Sequence, residues 1–241
     1  MKHPGKEFYE IWAKRELSNS QRKATLKWKA VNMANLLLRN SKNEPIRSVC
    51  EIGGAEGIVL NTIGKLIDAA EMVNYDLSSA FCEAGEFAYP EIKFINEEFG
   101  QRETVYDLIV LSDIVEHVEN ESDFLNMVST RCRFAVFKIP IEKCLTTSDL
   151  FSRLRGRSKP ENLRYGPTHI NGHLRGYTLN QARTSVARYF NILDVQEADV
   201  LNFYGTPRQI QIKRWLGVKS AIWLFGGALF LLGQSKKFEV E

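Results

Sequence analysis

A glycine-rich segment at the end of a predicted strand is the first feature of the chain that could do chemistry. Glu51 is followed closely by small residues, at Gly53, Gly54, Ala55 and Gly57. They let the backbone turn tightly and approach a ligand, and the helix that begins after them presents free N–H groups. Asp76 ends the next predicted strand, where its carboxylate can accept two hydrogen bonds from ribose hydroxyls. These residues predict a nucleoside-containing cofactor; the alternative is a tight strand–helix turn without a ligand.

Two cofactors use a site of this kind, a nicotinamide dinucleotide and S-adenosylmethionine. The dinucleotide fingerprint is G-x-G-x-x-G, and its glycine positions fall here on Gly53, Ala55 and Ile58. The pattern therefore fails where the helix must approach a pyrophosphate. The negative charge of Glu51 also suits a cationic sulfonium better than a pyrophosphate, so the loop favours S-adenosylmethionine.

The same residues resemble the class I S-adenosylmethionine-dependent methyltransferases, especially the group that includes quinone and small-molecule O-methylating enzymes. The family's acidic-x-Gly-x-Gly-x-Gly motif falls on Glu51, Gly53, Ala55 and Gly57, and its ribose-binding acid falls on Asp76 within NYDLS. The segment DLIVLSDIVEHVEN at 107–120 resembles the family's fourth-strand motif, and the resemblance covers about residues 47–140. It implies a cofactor site formed by Glu51, Gly53, Gly54, Ala55, Gly57, Asp76, Leu77, Glu97, Glu98 and Ser112.

Ala55 is a departure from the family pattern, because it stands where the family has its middle glycine. The added methyl group is tolerable if the φ angle of Ala55 is negative.

Polar side chains after the fourth predicted strand are candidates for catalysis. Methyl transfer needs the acceptor held in line with the methyl group, and it needs a base only where the acceptor is poorly nucleophilic. Asp113 and His117 are four residues apart, so both could lie on one helical face directed at the pocket. The alternative is that Glu116 and His117 cap the next helix or pack beside the adenine.

Two further histidines, His169 and His173, lie in YGPTHINGHLRGYT at 165–178. The proline and glycines of this segment indicate a loop, and no third ligand is in register, so no metal is predicted. The resembled family has a similar His-Leu-Arg-aromatic stretch near its acceptor pocket, which implies one of these histidines as general base. The alternative is that both are loop histidines hydrogen-bonded to the backbone.

A run of basic residues lies in the segment expected to cover the acceptor. It could recognise a phosphate, carboxylate or sulfate on the acceptor, or dock on an anionic membrane surface. The alternative is a solvated, flexible lid. The residues are Arg153, Arg155, Arg157, Lys159, Arg164 and Arg175.

The elements that must position these residues alternate between strands and helices. Strands are predicted at 47–52, 72–75, 92–95, 106–111, 134–139, 190–195 and 229–233, with Pro140 ending the fifth. Helices are predicted within 7–39, at 59–67, from Ser78 or Ser79 towards Pro90, at 122–130 and at 179–189. Strands that are apolar on both faces predict an α/β fold with a doubly wound, mostly parallel seven-stranded sheet and helices on both faces.

The predicted organisation is one cofactor-binding domain with additions. Residues 1–44 form an N-terminal helical arm, 45–205 the cofactor domain with a basic lid at 143–176, and 206–241 a last helix and strand that complete the domain. The apolar run at 221–233 has 13 residues, fewer than the roughly 20 that span a bilayer. A buried strand with a preceding core helix explains it better, although membrane-surface contact stays open.

Composition excludes several classes of protein. The chain has 241 residues, 44% of them hydrophobic and 25% charged, which is typical of a globular protein and not of a disordered or fibrous one. The net charge of +3 is uneven, since residues 49–130 carry 3 basic and 17 acidic side chains between two basic flanks. That is unlike a uniformly basic nucleic-acid binder. Four scattered cysteines and no signal-peptide pattern predict a cytoplasmic protein with reduced, buried thiols.

The resulting prediction is a methyltransferase that uses S-adenosylmethionine and acts on an oxygen or nitrogen of a small-molecule, saccharide, lipid-linked or quinone-like acceptor. One alternative is an RNA ribose 2′-O-methyltransferase, which would use Asp113 and Lys138 together with a second lysine and a glutamate that the sequence does not identify. Another is a cofactor-binding protein without turnover. Neither the acceptor nor the oligomeric state can be read from the sequence.

Overall fold

The computed structural model describes residues 6–40, 45–148, 165 and 171–238. Its centre is a sheet of seven strands: β1 Ser48–Ile52, β2 Glu71–Tyr75, β3 Lys93–Ile95, β4 Tyr106–Ser112, β5 Cys132–Ile141, β6 Phe190–Ala198 and β7 Gly227–Ser235. Their order is β3-β2-β1-β4-β5-β7-β6, and β7 runs antiparallel between β5 and β6. The predicted fold class, a mostly parallel seven-stranded sheet, is confirmed.

Helices cover both faces of this sheet. They are α1 Lys6–Glu16, α2 Ser20–Asn40, α3 Ile58–Ile67, α4 Ser79–Ala88, α5 Glu121–Ser129, α6 Leu179–Ala187, α7 Leu201–Tyr204 and α8 Pro207–Phe225, with a 3₁₀ turn at Leu145–Thr147. Of the two caps predicted for α4, Ser78 and Ser79, the structure has Ser78, whose side chain accepts a hydrogen bond from the amide of Phe81.

Alternate residues of β4 divide the core into two layers, as the two-residue period of a strand requires. Leu108 and Val110 pack with the cluster that contains α2 and α3 side chains, whereas Ile109 and Leu111 pack with the cluster of α5 and α6. All four side chains are fully buried. The central strands are therefore covered on both faces, which explains their almost continuous apolar sequence.

Pro140 does not end the fifth strand, contrary to the sequence prediction. β5 continues to Ile141, and Pro140 lies opposite Ala228 of β7. The pairing of β5 with β4 ends at Lys138. Because no β4 residue lies opposite Pro140, its missing N–H leaves no hydrogen bond unmade on that side.

The apolar run at 221–233 divides between the end of α8 and β7. The predicted buried strand is confirmed, whereas the predicted core helix is only partly buried, since Trp223 is 63% exposed. Ala221 and Ile222 are buried, and so is β7 along nearly its whole length. Within the described part of the chain, no helix is long and apolar enough to cross a membrane. The four cysteines are buried and free, as expected.

Candidate active site

The glycine-rich loop between β1 and α3 has an unusual backbone. Gly53 has a φ of 67° and Gly57 a φ of 80°, and the amide of Gly53 donates to the carbonyl oxygen of Tyr75 at 2.7 Å. Ala55 has a φ of 49°, so the condition of a negative φ is not met. A left-handed alanine costs on the order of 1 kcal/mol or more and persists where its surroundings hold it.

The Asp76 carboxylate is what holds Ala55. Its Oδ2 accepts a hydrogen bond from the amide of Ala55 at 2.8 Å, and its Oδ1 accepts one from the amide of Ser78 at 2.9 Å. Asn74, two residues earlier on β2, donates from Nδ2 to the carbonyl oxygen of Ala55 at 2.8 Å. The sequence reasoning missed Asn74, although the two-residue period of a strand places it on the same face as Asp76.

Glu51 lies beneath the loop, 1% exposed, and its Oε2 accepts a hydrogen bond from the amide of Leu60 at 2.9 Å. Gly54 passes close above it. A Cβ on Gly54 would overlap Oδ1 of Asn74 and lie 2.6 Å from Oε2 of Glu51. Burial raises the pKa of Glu51 to about 8 and that of Asp76 to about 6. Two buried carboxyl groups, whose charged forms are disfavoured by burial, therefore lie at the ends of neighbouring strands.

The raised pKa of Glu51 predicts a pH-dependent stability of the ligand-free protein. The group ionises near its ordinary value when unfolded but keeps its proton to about pH 8 when folded. Between these pH values the folded state therefore binds more protons than the unfolded state. The contribution of Glu51 to the free energy of unfolding thus falls as the pH rises through this range. We expect the free energy of unfolding, measured in urea, to fall between pH 5.5 and pH 8 in the wild type. In Glu51→Gln this fall should be smaller by about 1.4 kcal/mol or more, the equivalent of one pKa unit. Equal losses in the two proteins would contradict this.

A cavity of about 1480 Å³ opens beside the loop. It exceeds the roughly 300–1,000 Å³ of a typical small-molecule site, so it has room for a second molecule. Most of the predicted site residues line it: Glu51, Gly53, Gly54, Ala55, Asp76, Leu77, Glu97, Glu98, Ser112, Asp113, His117 and His173. Gly57 is not among the lining residues; its φ of 80° shapes the turn into α3. Glu97 is partly occupied by an ion pair with Arg102 at 3.0 Å.

The two N-terminal helices form one wall of the cavity. Arg22 of α2 holds Glu56 of the loop through two hydrogen bonds, of 2.5 and 2.8 Å, and both side chains are largely buried. The Arg22 guanidinium also lies over the rings of Trp12 and Phe81. Glu10 of α1 accepts hydrogen bonds from the first amides of α4, at 2.6 Å from Ser79. An acidic group there stabilises the helix N-terminus.

Asp113 is enclosed by two lysines. Lys29 of α2 lies 2.5 Å from its Oδ2, and Lys138 of β5 is paired with its Oδ1. Burial opposes ionisation of Asp113, but the two lysines outweigh it and lower its pKa below the ordinary range. Burial also lowers the pKa of Lys29. The sequence reasoning missed Lys29, because nothing in a basic amphipathic helix marks one lysine as the one that reaches the cavity.

Asp113 and His117 do not share a helical face, contrary to the sequence prediction. Asp113 has a φ of 55°, and α5 begins only at Glu121 with Asn120 as its cap. The alternative, in which Glu116 and His117 cap that helix, is wrong for the same reason. A tight turn instead directs Asp113 towards the lysines and His117 towards His173.

Glu116, His117 and His173 come together in the interior. Nε2 of each histidine lies 4.0 Å from Oε1 of Glu116, and the two rings are 4.9 Å apart. Nδ1 of His173 is 2.9 Å from Oε2 of Glu142, and Nδ1 of His117 is 3.2 Å from the carbonyl oxygen of Gly172. Burial, together with the nearby Asp113, raises the pKa of Glu116 to about 8.

Arg175 is not available to an acceptor, contrary to the reading of it as part of the basic run. It donates to the carbonyl oxygens of Val115 at 2.9 Å and Glu119 at 2.7 Å, and thereby fixes the turn after β4. His169 and the other members of the run, Arg153, Arg155, Arg157, Lys159 and Arg164, lie outside the described residues.

This chain is similar to a known protein family in sequence and to solved structures in fold. A family described as a methyltransferase domain matches residues 21–178. No curated protein matches the sequence. The fold resembles the N-methyltransferase NodS from Bradyrhizobium japonicum in complex with S-adenosyl-L-homocysteine, with a TM-score of 0.59 and 11% identity over 94% of this chain and 98% of that one.

Two other solved structures are similar. Magnesium protoporphyrin IX methyltransferase (ChlM) from Synechocystis PCC 6803, with bound S-adenosyl-L-homocysteine, has a TM-score of 0.57 and 14% identity over 87% of this chain and 83% of that one. The plantazolicin methyltransferase BpumL, in complex with a desmethyl analogue and S-adenosyl-L-homocysteine, has a TM-score of 0.57 and 14% identity over 95% and 90%. At these identities the likeness establishes the fold.

Proposed function

Because this chain belongs to the family of methyltransferase domains, we propose that it transfers a methyl group from S-adenosylmethionine, its cofactor, to an oxygen or nitrogen of a small-molecule, saccharide or lipid-linked acceptor. The observation that carries the proposal is the arrangement of Glu51 and Asp76. Both are buried carboxylates on one cavity, at the ends of adjacent strands, and Asp76 is tied to the glycine-rich loop through the amide of Ala55.

The residues present fit the cofactor. Asp76 would accept hydrogen bonds from the ribose hydroxyls, and Glu51 would face the cationic amino-acid end beneath Gly54. Leu77, Glu97 and Glu98 would lie on the adenine side. The hydroxyl of Ser112 is buried and has no hydrogen-bond partner among the described residues, so it offers a polar contact to a bound ligand. When bound, S-adenosylmethionine supplies a methyl group activated by its sulfonium.

We assign to Lys29 the role of general base, which takes the proton that the methyl acceptor loses. Asp113 is a poor base because two lysines hold its charge, so its role is to position them. Burial lowers the pKa of Lys29, so of the two lysines it gives up its proton the more readily, and once deprotonated it would take the proton of an acceptor hydroxyl. Lys138 stays charged beside Asp113, since its pKa is raised: burial opposes the charge, but Asp113 and Glu116 outweigh burial. His117 and His173 line the same cavity and are the alternative proton acceptors.

A specific observation also favours the second candidate function, RNA ribose 2′-O-methylation. That reaction was expected to need a second lysine beside Asp113 and Lys138, and Lys29 occupies such a place. The acidic middle of the chain argues for the small-molecule acceptor, because RNA binding draws on basic surfaces.

The test uses S-adenosylmethionine labelled in its methyl group, with a metabolite extract and total RNA as separate acceptors. Label in a small organic product supports the proposal, whereas label in RNA ribose supports the second candidate. Absence of turnover with intact cofactor binding would identify a cofactor-binding protein without activity. Calorimetry that finds no affinity for S-adenosylmethionine or S-adenosylhomocysteine would overturn all three.

A further inference from the structure

The cluster of Glu116, His117 and His173 has the composition of a metal site. Its three candidate ligand atoms all lie within 4.8 Å of one another. Glu116 is 0% exposed, and neither of its carboxylate oxygens has a hydrogen-bond partner among the described residues. A buried carboxylate without a hydrogen-bond partner is costly, and the two histidine nitrogens 4.0 Å away are too distant to supply one.

The surroundings of both histidines are those of metal ligands. A ligating histidine usually donates its second ring N–H to a carboxylate or a backbone carbonyl, which fixes the ring and its tautomer. His173 has the Glu142 carboxylate at Nδ1, and His117 has the carbonyl oxygen of Gly172. Both Nε2 atoms are thereby turned towards the same oxygen of Glu116.

We propose that Glu116, His117 and His173 bind one divalent transition-metal ion of the Fe(II)-to-Zn(II) series. Two imidazoles and one carboxylate suit these ions, which bind nitrogen and oxygen at about 2.0–2.2 Å. Around such an ion the ligand atoms would lie roughly 3.0–3.5 Å apart, so the two 4.0 Å separations from Glu116, and every other pair within the 4.8 Å limit, would have to close by side-chain adjustment.

The ion would face the acceptor part of the cavity, because His117 and His173 both line it. Three protein ligands leave a coordination position open, where an acceptor oxygen can bind close to Asp113 and Lys138. This role in catalysis rests on the proposed function, whereas metal binding itself does not. The sequence did not predict a metal site from His169 and His173. The residues that meet His173 in the structure belong to the turn after β4, which is distant in sequence.

The test is a titration of chelator-treated protein with Co(II) alone, followed by the visible d–d bands of the ion. One Co(II) per chain is expected, and Glu116→Gln and His173→Ala should each weaken its binding more than about tenfold. Calorimetry with S-adenosylhomocysteine reports whether these variants remain folded. Glu51→Gln is the matched control, because it should lose affinity for S-adenosylhomocysteine and keep Co(II).

The outcomes separate the two proposals. Absence of saturable Co(II) binding, or wild-type Co(II) affinity in both cluster variants, would overturn the metal site and leave the methyltransferase proposal intact. Co(II) binding without affinity for S-adenosylhomocysteine would do the reverse.

A separate observation concerns the surface of α8. Trp215 is 82% exposed and Trp223 is 63% exposed, and Leu216 beside Gly217 is also exposed. Gly217 bends the helix, with a φ of 80°. The helix carries four basic residues and no acidic one: Arg208, Lys213, Arg214 and Lys219. Lys213 is paired with Asp199 at 2.9 Å, so the other three are the cations offered to a surface.

We infer that α8 docks on an anionic phospholipid bilayer. Exposed tryptophans among lysines and arginines are characteristic of helices that lie in a membrane interface, where anionic lipid headgroups attract the cations. Phe225 at the end of α8 and Tyr204 of α7 line the cavity. Docking through α8 would therefore bring the cavity to the membrane surface, where a lipid-linked acceptor would be found.

The test is co-sedimentation with phosphatidylglycerol vesicles, with phosphatidylcholine vesicles in parallel. Binding to the anionic vesicles only is expected, and Trp215→Ala/Trp223→Ala should lose most of it. Phe87→Ala is the matched control, because Phe87 is 93% exposed on α4, a different helix. Equal binding to both vesicle types, wild-type binding by the double variant, or no vesicle binding at all would overturn the inference. Binding of α8 to another protein would then be the remaining explanation of its surface.

Discussion

Asp76→Ala is expected to weaken binding of S-adenosylmethionine by about a hundredfold or more. Asp76 has two roles in the structure, since it holds the left-handed Ala55 through a backbone hydrogen bond and is the proposed acceptor for the ribose hydroxyls. Hydrogen bonds to a charged group contribute about 1.5–3 kcal/mol each, so loss of two of them amounts to about 3 kcal/mol or more. Isothermal titration calorimetry with S-adenosylmethionine measures the change directly.

Asp107→Ala is the matched control for this experiment. Asp107 also accepts two backbone hydrogen bonds, from the amides of Arg47 at 2.8 Å and Ser48 at 3.0 Å. Asp107 lies near the amino end of β4, however, whereas Asp76 lies at the carboxyl end of β2, so the two are at opposite ends of the parallel strands. Its removal should lower stability and leave cofactor affinity unchanged. If the two variants lose affinity equally, Asp76 acts on the cofactor only through general stability.

Lys29→Met is expected to reduce the rate of methyl transfer by about 10²–10⁴-fold, the usual contribution of a positioned acid or base. Methionine keeps most of the length and apolar volume of lysine but cannot accept a proton. The cofactor residues lie on other elements, so affinity for S-adenosylmethionine should be little changed. Single-turnover rates with the acceptor found in the labelling experiment, together with calorimetry, separate the two effects.

Lys27→Met on the same helix is the control, since Lys27 is exposed and outside the cavity lining. It should transfer methyl groups at the wild-type rate. Normal turnover by Lys29→Met would assign the proton to His117 or His173 instead, or would show that the acceptor is nucleophilic enough to need no base.

The elements of the proposed cofactor site could be predicted because their signals are local. The strand that ends in Glu51, the small residues after it and the acid at Asp76 are read directly from spacing and period. The backbone angle of Ala55 could not be predicted, since it depends on hydrogen bonds with Asp76 and Asn74, which belong to the neighbouring strand and its end.

The acceptor half was less predictable because it is assembled from distant segments. Lys29 reaches Asp113 from a helix that precedes the first strand, a separation of 84 residues. Two contacts bring the loop of His173 to the turn that carries Glu116 and His117. Arg175 donates to a carbonyl oxygen of that turn, and the amide of Leu174 donates to the carbonyl oxygen of Glu116. Periodicity identifies the elements that carry these side chains, but it does not identify which loops meet at the sheet edge.

The attachment of the N-terminal helices has a kinetic consequence. Arg22 fastens α2 to the loop at Glu56, and Glu10 fastens α1 to the first turn of α4. In the proposed complex the nucleoside lies against these helices, which line the cavity, and its departure is expected to require one of these contacts to open. Departure of S-adenosylhomocysteine, rather than the displacement step, is therefore expected to govern the overall cycle, as it does in many enzymes with mobile covers. A substitution that breaks one of these contacts would shorten the residence time of S-adenosylhomocysteine and lower its affinity.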